Sequence, residues 1–318
     1  MKAVFMGTPD FAVPCLQAMI NSGHDICGVF TRPDKPRGRG HKLMPTPIKS
    51  LALEHNIPVY QPKSLRIGED SNLAYETLQS LAPDIIVVVA YGCILPKRVL
   101  ELPKFGCVNV HASILPLYRG AAPIQWSILS GEQETGITTM YMAEGLDTGD
   151  MILKTAIPIG ENETSSELHD RLSALGSTIL TQTLDLIKQG KAPRTPQKES
   201  EATFAPMITK EQSHIDFTKS AAEIHNLIRA ITGYTFYEGM RIKFYRSELT
   251  GGNFPNTTPG EIVNAEDFTV VCGDGNTIKI TELQAECCRK MSTDDYLCGK
   301  AITKGDILGG VQKECTLM

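Results

Sequence analysis

Apolar and polar residues in the first half of the chain follow two alternating periods. Short runs rich in Val and Ile indicate strands, and the amphipathic stretches between them indicate helices. The run Ile85-Ile86-Val87-Val88-Val89 is apolar at every position, as in a central parallel strand that is covered on both faces. This alternation predicts an α/β fold with a doubly wound, mostly parallel sheet. We place strands at Ala3–Met6, Ile26–Thr31, Ile85–Ala90, Cys107–His111 and Thr138–Met142, and helices at Asp10–Asn21, Thr46–His55, Leu73–Ser80 and Ala121–Ser130.

A long helix and a polar segment follow this sheet. Thr164 with Glu167 forms a capping-box pattern that opens the helix, and Gly190 marks its C-terminal end. Residues 191–207 then carry three prolines among polar residues, which favours a linker. We therefore predict a first domain over residues 1–190, a linker over 191–207 and a second domain over 208–318.

The second domain has a different pattern. Ser220 with Glu223 forms another capping box, which predicts a helix through Ile231. Short β-rich runs separated by glycine-containing turns come next, at Arg241–Arg246, Gly260–Val263, Thr269–Cys272 and Thr277–Leu283. The spacing predicts a small antiparallel barrel, but composition alone does not distinguish an OB fold from other small β folds.

Composition narrows the cellular context. The net charge of −5 gives no sign of a polyanionic partner, so a nucleic-acid contact has to be local. Nine cysteines occur without a Cys-x-x-Cys pair, which suits reduced cytosolic thiols and no metal site. No signal peptide or membrane-length apolar run is present. Residues 315–318 fit a prenylation pattern formally, but no basic cluster precedes them. We expect a cytoplasmic monomer without metal or membrane attachment.

Asn109 and His111 carry the clearest chemical signal. They stand two residues apart in a predicted strand, so both project from one face while Val108 and Val110 pack on the other. Asp147 lies further along in a loop with glycines on both sides. Singly, these residues have ordinary explanations as a structural histidine and a turn former. Together, an amide, an imidazole and a carboxylate can polarise a carbonyl, stabilise its oxyanion and take a proton from an attacking amine. The set indicates acyl transfer without a covalent nucleophile.

Four stretches carry a family resemblance, at residues 4–12 (Val-Phe-Met-Gly-Thr-Pro-Asp-Phe-Ala), 109–116 (Asn-Val-His-Ala-Ser-Ile-Leu-Pro), 118–125 (Tyr-Arg-Gly-Ala-Ala-Pro-Ile-Gln) and 145–151 (Gly-Leu-Asp-Thr-Gly-Asp-Met). In this order they resemble the methionyl-tRNA formyltransferases, a family that uses 10-formyltetrahydrofolate. The resemblance implies a Rossmann-like formyltransferase domain and an OB-like tRNA-binding domain. It also implies formylation of the α-amino group of initiator methionyl-tRNA, with Asn109, His111 and Asp147 as the active site.

The chemistry suggests a role for each of the three. Asn109 would donate to the oxyanion, and His111 would donate to the same oxygen or pass a proton to folate N10. Asp147 would stay ionised, orient His111 or a water molecule, and accept the proton of the amine. The order of these proton transfers stays open.

Two segments are candidates for binding the formyl donor. The resemblance implies that one of them is a folate-contacting turn, with Ile where the family has Leu. Backbone groups and apolar side chains of the other would line the pocket, although a loop that only packs on the core explains its residues equally well. The candidates are Ser113, Ile114, Leu115 and Pro116 in the turn, and Tyr91, Gly92, Ile94 and Leu95 in the loop.

The segment Arg32–Lys42 holds five cations against one acid. A charge run of this kind is often only a solvated loop. Its position after a strand, near the expected rim of the site, favours contact with nucleic-acid phosphates. The resemblance implies that this loop reads the acceptor end of the initiator tRNA, and we assign tRNA contacts to Arg37, Arg39 and Lys42.

Other functions remain as alternatives. A nicotinamide dehydrogenase is not supported, because the turn Gly7–Asp10 lacks the Gly-x-Gly-x-x-Gly pattern. A formyltransferase for an amino sugar or another small amine would use the same catalytic set, but the basic loop argues against it. An OB-type RNA-binding protein without catalysis is a different class, which the three intact polar residues argue against.

Overall fold

A computed structural model describes residues 1–37 and 42–310, apart from the side chains of Arg37 and Lys42. The helices are α1 (Val13–Asn21), α2 (Pro47–Glu54), α3 (Glu69–Leu81), α4 (Lys97–Leu100), α5 (Pro123–Leu129), α6 (Ser165–Lys188), α7 (Ala221–Ile231) and α8 (Thr293–Gly299). The strands are β1 (Lys2–Gly7), β2 (Asp25–Phe30), β3 (Lys35–Arg37), β4 (Lys42–Met44), β5 (Val59–Tyr60), β6 (Ile85–Val89), β7 (Cys107–His111), β8 (Arg119–Gly120), β9 (Glu134–Tyr141), β10 (Met151–Pro158), β11 (Phe204–Ala205), β12 (Gly233–Tyr237), β13 (Met240–Asn253), β14 (Ile262–Asn264), β15 (Thr269–Val271), β16 (Asn276–Ala285) and β17 (Met291–Ser292).

The chain forms two units, and each is built from several stretches of sequence. The first comprises Met1–Pro123, Thr135–Ile157 and His169–Ala205. The second comprises Ile124–Glu134, Pro158–Leu168 and the remainder of the chain from Pro206.

The first unit is organised around a seven-stranded sheet in the order β10-β9-β7-β6-β1-β2-β5. The five strands from β7 to β5 are parallel, and β9 pairs with β7 in the antiparallel direction. Gly7 pairs with Val89, so β1 and β6 end side by side, and the neighbouring β7 ends at His111. The carboxyl ends of three adjacent strands therefore meet at one edge, where α/β proteins usually place their sites.

Helices cover both faces of this sheet. On one face, Met6 packs with Leu78 of α3 in a buried apolar cluster. On the other face, α6 approaches so closely that a Cβ at Gly176 would stand 3.3 Å from Val110 and 3.7 Å from Cys15 of α1. The predicted doubly wound α/β fold is confirmed, and so is the packing of Val110 away from the Asn109 face.

The second unit is a curled antiparallel sheet in the order β12-β13-β16-β15-β14, with β17 also paired to β16. Register shifts interrupt the β13–β16 ladder, and such irregularities increase the twist of a sheet. Helix α7 begins with the predicted capping box between Ser220 and Glu223. Its Ile224 and Ile228 pack in one buried cluster with Phe244 of the sheet. This unit agrees with the expected small OB-like β domain.

Residues 191–207 include positions that pair with strands of the first unit, which a free linker would not do. Within the first unit, Thr195 forms a β-bridge with Met151, and β11 pairs in parallel with β8. The boundaries at 190 and 208 remain a prediction.

Candidate active site

Strand β7 directs Asn109 and His111 to the same face. It lies between β6 and β9, with Asn109 paired to Val88 on one side and Met140 on the other. Both polar side chains are largely buried, with relative exposures of 9% for Asn109 and 6% for His111. Cys107, two residues before Asn109, packs into the apolar cluster on this face. The strand therefore holds an amide and an imidazole in fixed positions at its carboxyl end.

Asp147 lies in the turn between β9 and β10. Its φ is +53°, a left-handed conformation that is uncommon for a residue with a side chain and is often found at functional sites. Gly149 is required for this turn, since a Cβ there would stand 1.6 Å from the carbonyl oxygen of Tyr141. The amide of Tyr141 donates to the carbonyl of Asp150 at 2.9 Å and closes the turn. The backbone thereby fixes the direction of the Asp147 side chain.

The three predicted residues meet at the Asp147 carboxylate. Asn109 Nδ2 lies 3.5 Å from Asp147 Oδ1, and His111 Nδ1 lies 3.7 Å from Asp147 Oδ2. Both separations exceed the usual hydrogen-bond length. The shortest contact to the carboxylate comes from the backbone amide of Gly120, which donates to Oδ2 at 2.9 Å. Asp147 is thus held by the main chain and keeps capacity for a further partner.

The position of Tyr118 determines which nitrogen of His111 carries a proton. His111 Nε2 lies 2.9 Å from the carbonyl oxygen of Tyr118, and a carbonyl can only accept. Nε2 is therefore the protonated nitrogen of the neutral ring, which leaves the Nδ1 lone pair on the side of Asp147. A proton placed on Nδ1 would face the Asp147 carboxylate, whose Oδ2 lies 3.7 Å away.

The turn formed by Ser113, Ile114, Leu115 and Pro116 is held by the sheet. Thr138 Oγ1 donates to the Ser113 carbonyl at 2.7 Å and accepts from the Leu115 amide at 3.1 Å. Ser113 Oγ donates to the carbonyl of Leu117 at 2.5 Å. Ser113, Leu115 and Pro116 are buried, and Ile114 is partly exposed. The turn thus presents Ile114 and backbone groups to a ligand.

The second predicted donor-binding segment follows β6 at the same sheet edge. Thr8 Oγ1, just after β1, donates to the carbonyl of Tyr91 at 2.9 Å and joins the two loops. The side chains of Tyr91 and Leu95 belong to the apolar core, and burial raises the pKa of the Tyr91 phenol. Gly92 has a φ of +76°, and the side chain of Ile94 is 62% exposed. Ile94 and the backbone around Gly92 are therefore the groups available to a ligand.

The basic loop is described only at its two ends. Strands β3 and β4 form an antiparallel ladder in which Arg37 pairs with Lys42, while Arg39 lies outside the described residues. Asp34 precedes this hairpin and accepts from Lys49 Nζ at 2.6 Å and from Gln61 Nε2 at 2.8 Å. The hydrogen bond from Lys49 lowers the pKa of the Asp34 carboxyl. A polar cluster thus anchors the base of the hairpin.

Sequence reasoning missed three groups that surround the predicted residues. They are the carbonyl of Tyr118, the amide of Gly120 and the side chain of Gln197, whose Nε2 donates to the carbonyls of Asp147 and Gly149 at 2.7 and 2.8 Å. The first two act through main-chain atoms, which residue type does not reveal. Gln197 lies 50 positions from Asp147 in the sequence, and the polar residues next to it form no recognisable motif.

In the described part of the chain, no three or more His, Cys, Asp or Glu side chains are grouped to hold a metal ion. Over the same residues, no helix has both the length and the apolar character needed to cross a bilayer.

Comparisons with known families match both parts of the chain. Residues 1–184 match the formyl transferase family, and residues 207–301 match the formyl transferase C-terminal domain. A protein named methionyl-tRNA formyltransferase from Alkaliphilus oremlandii is 52% identical over 314 residues, which cover 97% of this chain and 100% of that protein. A protein of the same name from Clostridioides difficile is 48% identical over 313 residues, with 97% and 100% coverage.

Solved structures share the fold at lower identity. Methionyl-tRNA formyltransferase from Clostridium thermocellum has a TM-score of 0.53 at 19% identity, covering 80% of this chain and 95% of that chain. An N-formyltransferase from Helicobacter canadensis, solved with folinic acid and dTDP-3-aminofucose, has a TM-score of 0.66 at 21% identity, covering 90% and 99%. At such identities the likeness establishes the fold alone.

Proposed function

The chain belongs to the formyl transferase family, and we propose that it transfers the formyl group of 10-formyltetrahydrofolate to the α-amino group of initiator methionyl-tRNA. The product would be N-formylmethionyl-tRNA for translation initiation. The observation that carries this proposal is the convergence of Asn109, His111 and Asp147 at the carboxyl end of β7. The relatives that are 52% and 48% identical over their full length support methionyl-tRNA as the acceptor.

The three side chains suit transfer between two nitrogen atoms. The folate supplies an activated formyl carbon and leaves through N10. Asn109 Nδ2 would donate to the formyl oxygen as negative charge develops there, a contribution typical of an oxyanion donor. Asp147 would accept the proton of the attacking amine. His111 donates from Nε2 to the Tyr118 carbonyl, so its Nδ1 would take the amine's proton on from Asp147 and pass it to folate N10 as the bond between the formyl carbon and N10 breaks.

Folate binding would use the two loops at the same sheet edge. The pterin would contact backbone groups near Gly92, with the exposed Ile94 as an apolar wall. The turn at 113–116 would contribute Ile114, since its neighbouring side chains are buried. The basic segment Arg32–Lys42 would supply Arg37, Arg39 and Lys42 to the tRNA acceptor end. A cytoplasmic, monomeric enzyme without metal remains our expectation.

One assay separates this function from the alternatives. Labelled 10-formyltetrahydrofolate is offered in parallel to charged initiator tRNA, uncharged initiator tRNA and a nucleotide-linked amino sugar. We expect label only in the charged tRNA, because only that substrate carries the free methionyl amine. Transfer to the sugar and not to tRNA would support the small-amine alternative. Binding of tRNA without transfer to any acceptor would support the RNA-binding alternative.

A further inference from the structure

Gln197 uses both ends of its side-chain amide near the proposed site. Its Nε2 donates to the carbonyl of Asp147 at 2.7 Å and to the carbonyl of Gly149 at 2.8 Å. Its Oε1 accepts from Arg119 Nε at 3.0 Å. One side chain therefore bridges the two carbonyls of the Asp147 turn to an arginine in β8.

Arg119 determines which way this amide points. A guanidinium only donates and a carbonyl only accepts, so the reversed orientation of Gln197 would lose all three contacts. Arg119 is itself buried, with 1% relative exposure, and its Nη1 donates to the Glu199 carboxylate at 3.0 and 2.9 Å. The buried arginine thus fixes Gln197 as a donor toward the turn.

The turn needs an external partner because its own geometry is unfavourable. Asp147 has a positive φ, a strained conformation that persists only when surrounding contacts impose it. Gly149 is pressed against the carbonyl of Tyr141. Without the Gln197 amide, the Asp147 and Gly149 carbonyls would lose these donors, and the turn would be freer to relax.

We propose that Gln197 is a positioning residue that holds the Asp147 carboxylate against Asn109, His111 and the Gly120 amide. It lies in the segment that sequence reasoning assigned to a linker, and it acts on the reaction through Asp147 without touching the substrates. This inference rests on the proposed function for its kinetic consequence. Its structural consequence, the position of the Asp147 carboxylate, is independent of the substrate.

The first test is Gln197→Met in the full-length protein, because methionine keeps the bulk and removes the donors. Displacement of a catalytic group by about 1 Å can cost about 10²-fold, so we expect kcat for formyl transfer to fall by about that factor. KM for the folate and for the tRNA should change little, since neither is bound by Gln197. Lys198→Ala is the matched control, because Lys198 is the next residue and pairs only with Glu201 among the contacts described for it.

The second test follows hydrogen exchange at the Gly120 amide by NMR. This amide donates to Asp147 Oδ2, so its exchange should accelerate in Gln197→Met and stay unchanged in Lys198→Ala. If Gln197→Met does not fold, Gln197→Glu replaces it, since glutamate keeps the Arg119 partner and sets a carboxylate oxygen against the two carbonyls. A lower Tm with unchanged kcat and unchanged Gly120 exchange would overturn the proposal.

A double variant separates positioning from general stability. In an Asp147→Asn background, adding Gln197→Met should leave the single-turnover rate nearly unchanged, because effects transmitted through one group are not additive. A double variant whose single-turnover rate falls by the product of the two single-variant losses would overturn the proposal. A wild-type protein that formylates no tRNA would refute the proposed function, whereas the exchange of the Gly120 amide would still decide the role of Gln197.

Discussion

At the scale of single residues, the site is notable for how much of it the main chain supplies. The Tyr118 carbonyl sets the tautomer of the neutral His111 ring, and the Gly120 amide holds Asp147. The alternation in the sequence predicted that Asn109 and His111 share one face of a strand, and β7 places both next to Asp147. The backbone partners were not predicted, because any residue type provides a carbonyl or an amide. The placement of these two side chains could therefore be predicted from the sequence, while their backbone partners depended on the fold.

Asp147→Asn tests the proposed proton acceptor. The amide keeps the size of the side chain and can still accept from Gly120, but it cannot take up the proton of the attacking amine. We expect kcat to fall by about 10²–10⁴-fold, the usual contribution of general acid–base catalysis. Steady-state formylation of charged initiator tRNA measures it. Asp150→Asn, in the same turn but paired with Arg194, is the control, and equal losses in both variants would contradict the assigned role.

Gly149→Ala tests the shape of the turn. The added methyl would overlap the Tyr141 carbonyl at 1.6 Å, so the turn must move and carry Asp147 with it. We expect loss of formyl transfer together with a lower Tm. Gly299→Ala is the matched control, because a Cβ at that position meets nothing within 4 Å. Wild-type kcat in Gly149→Ala would show that the close approach has no catalytic consequence.

At the scale of secondary-structure elements, prediction succeeded where the sequence marks one face of a strand by alternation or the start of a helix by a capping box. Strand β7 was placed at Cys107–His111 and both capping boxes were placed correctly. Strand β10 and the β3–β4 hairpin were missed. We predicted a linker over residues 191–207. Within it, the backbone of Thr203 forms hydrogen bonds with the carbonyl of Pro116 and the amide of Arg119, which are distant in sequence. Local patterns encode short-range geometry and do not encode such partners.

The start of helix α6 gives a prediction about pH. Arg246 donates to Glu167, and this bond, followed by the Thr164 amide, lowers the pKa of the Glu167 carboxyl to about 2. A depressed carboxyl pKa stabilises the fold above its unfolded value, and that stability is lost as the pH falls through the folded value. We therefore expect the free energy of unfolding to fall less between pH 4.5 and about 2 in Glu167→Gln than in wild type.

Denaturant unfolding at several pH values measures this difference. Glu201→Gln is the control, because its ion pair with Lys198 is exposed and such pairs contribute little to stability. Parallel pH profiles for wild type and Glu167→Gln would contradict the assignment.

At the scale of the whole molecule, the reactivity of the buried cysteines reports how well the two cores exclude solvent. Burial raises the pKa of Cys15 and Cys107 in the first unit, and of Cys272 in the second, to about 12. Alkylation at pH 8 needs the thiolate, so these three should remain unmodified in the native protein. The exposed thiols Cys287, Cys288 and Cys298 should react first.

Mass spectrometry of the alkylated, digested protein gives the rate at each thiol. The unfolded protein is the control, in which all thiols should react at similar rates. Rapid native labelling of Cys15 or Cys272 would mean that the corresponding core opens readily.

The division of the chain into interleaved stretches also bears on its synthesis. Residues 124–134 and 158–168 belong to a unit whose remaining sequence starts at Pro206. The carbonyl groups of Gly160, Glu161 and Glu163 bind side chains of His225 and Arg229, which leave the ribosome later. At about 5–20 residues per second, the earlier segments wait several seconds for these partners. During that interval the nascent chain offers chaperones two unfinished segments, and a messenger truncated near codon 206 would make that exposure permanent.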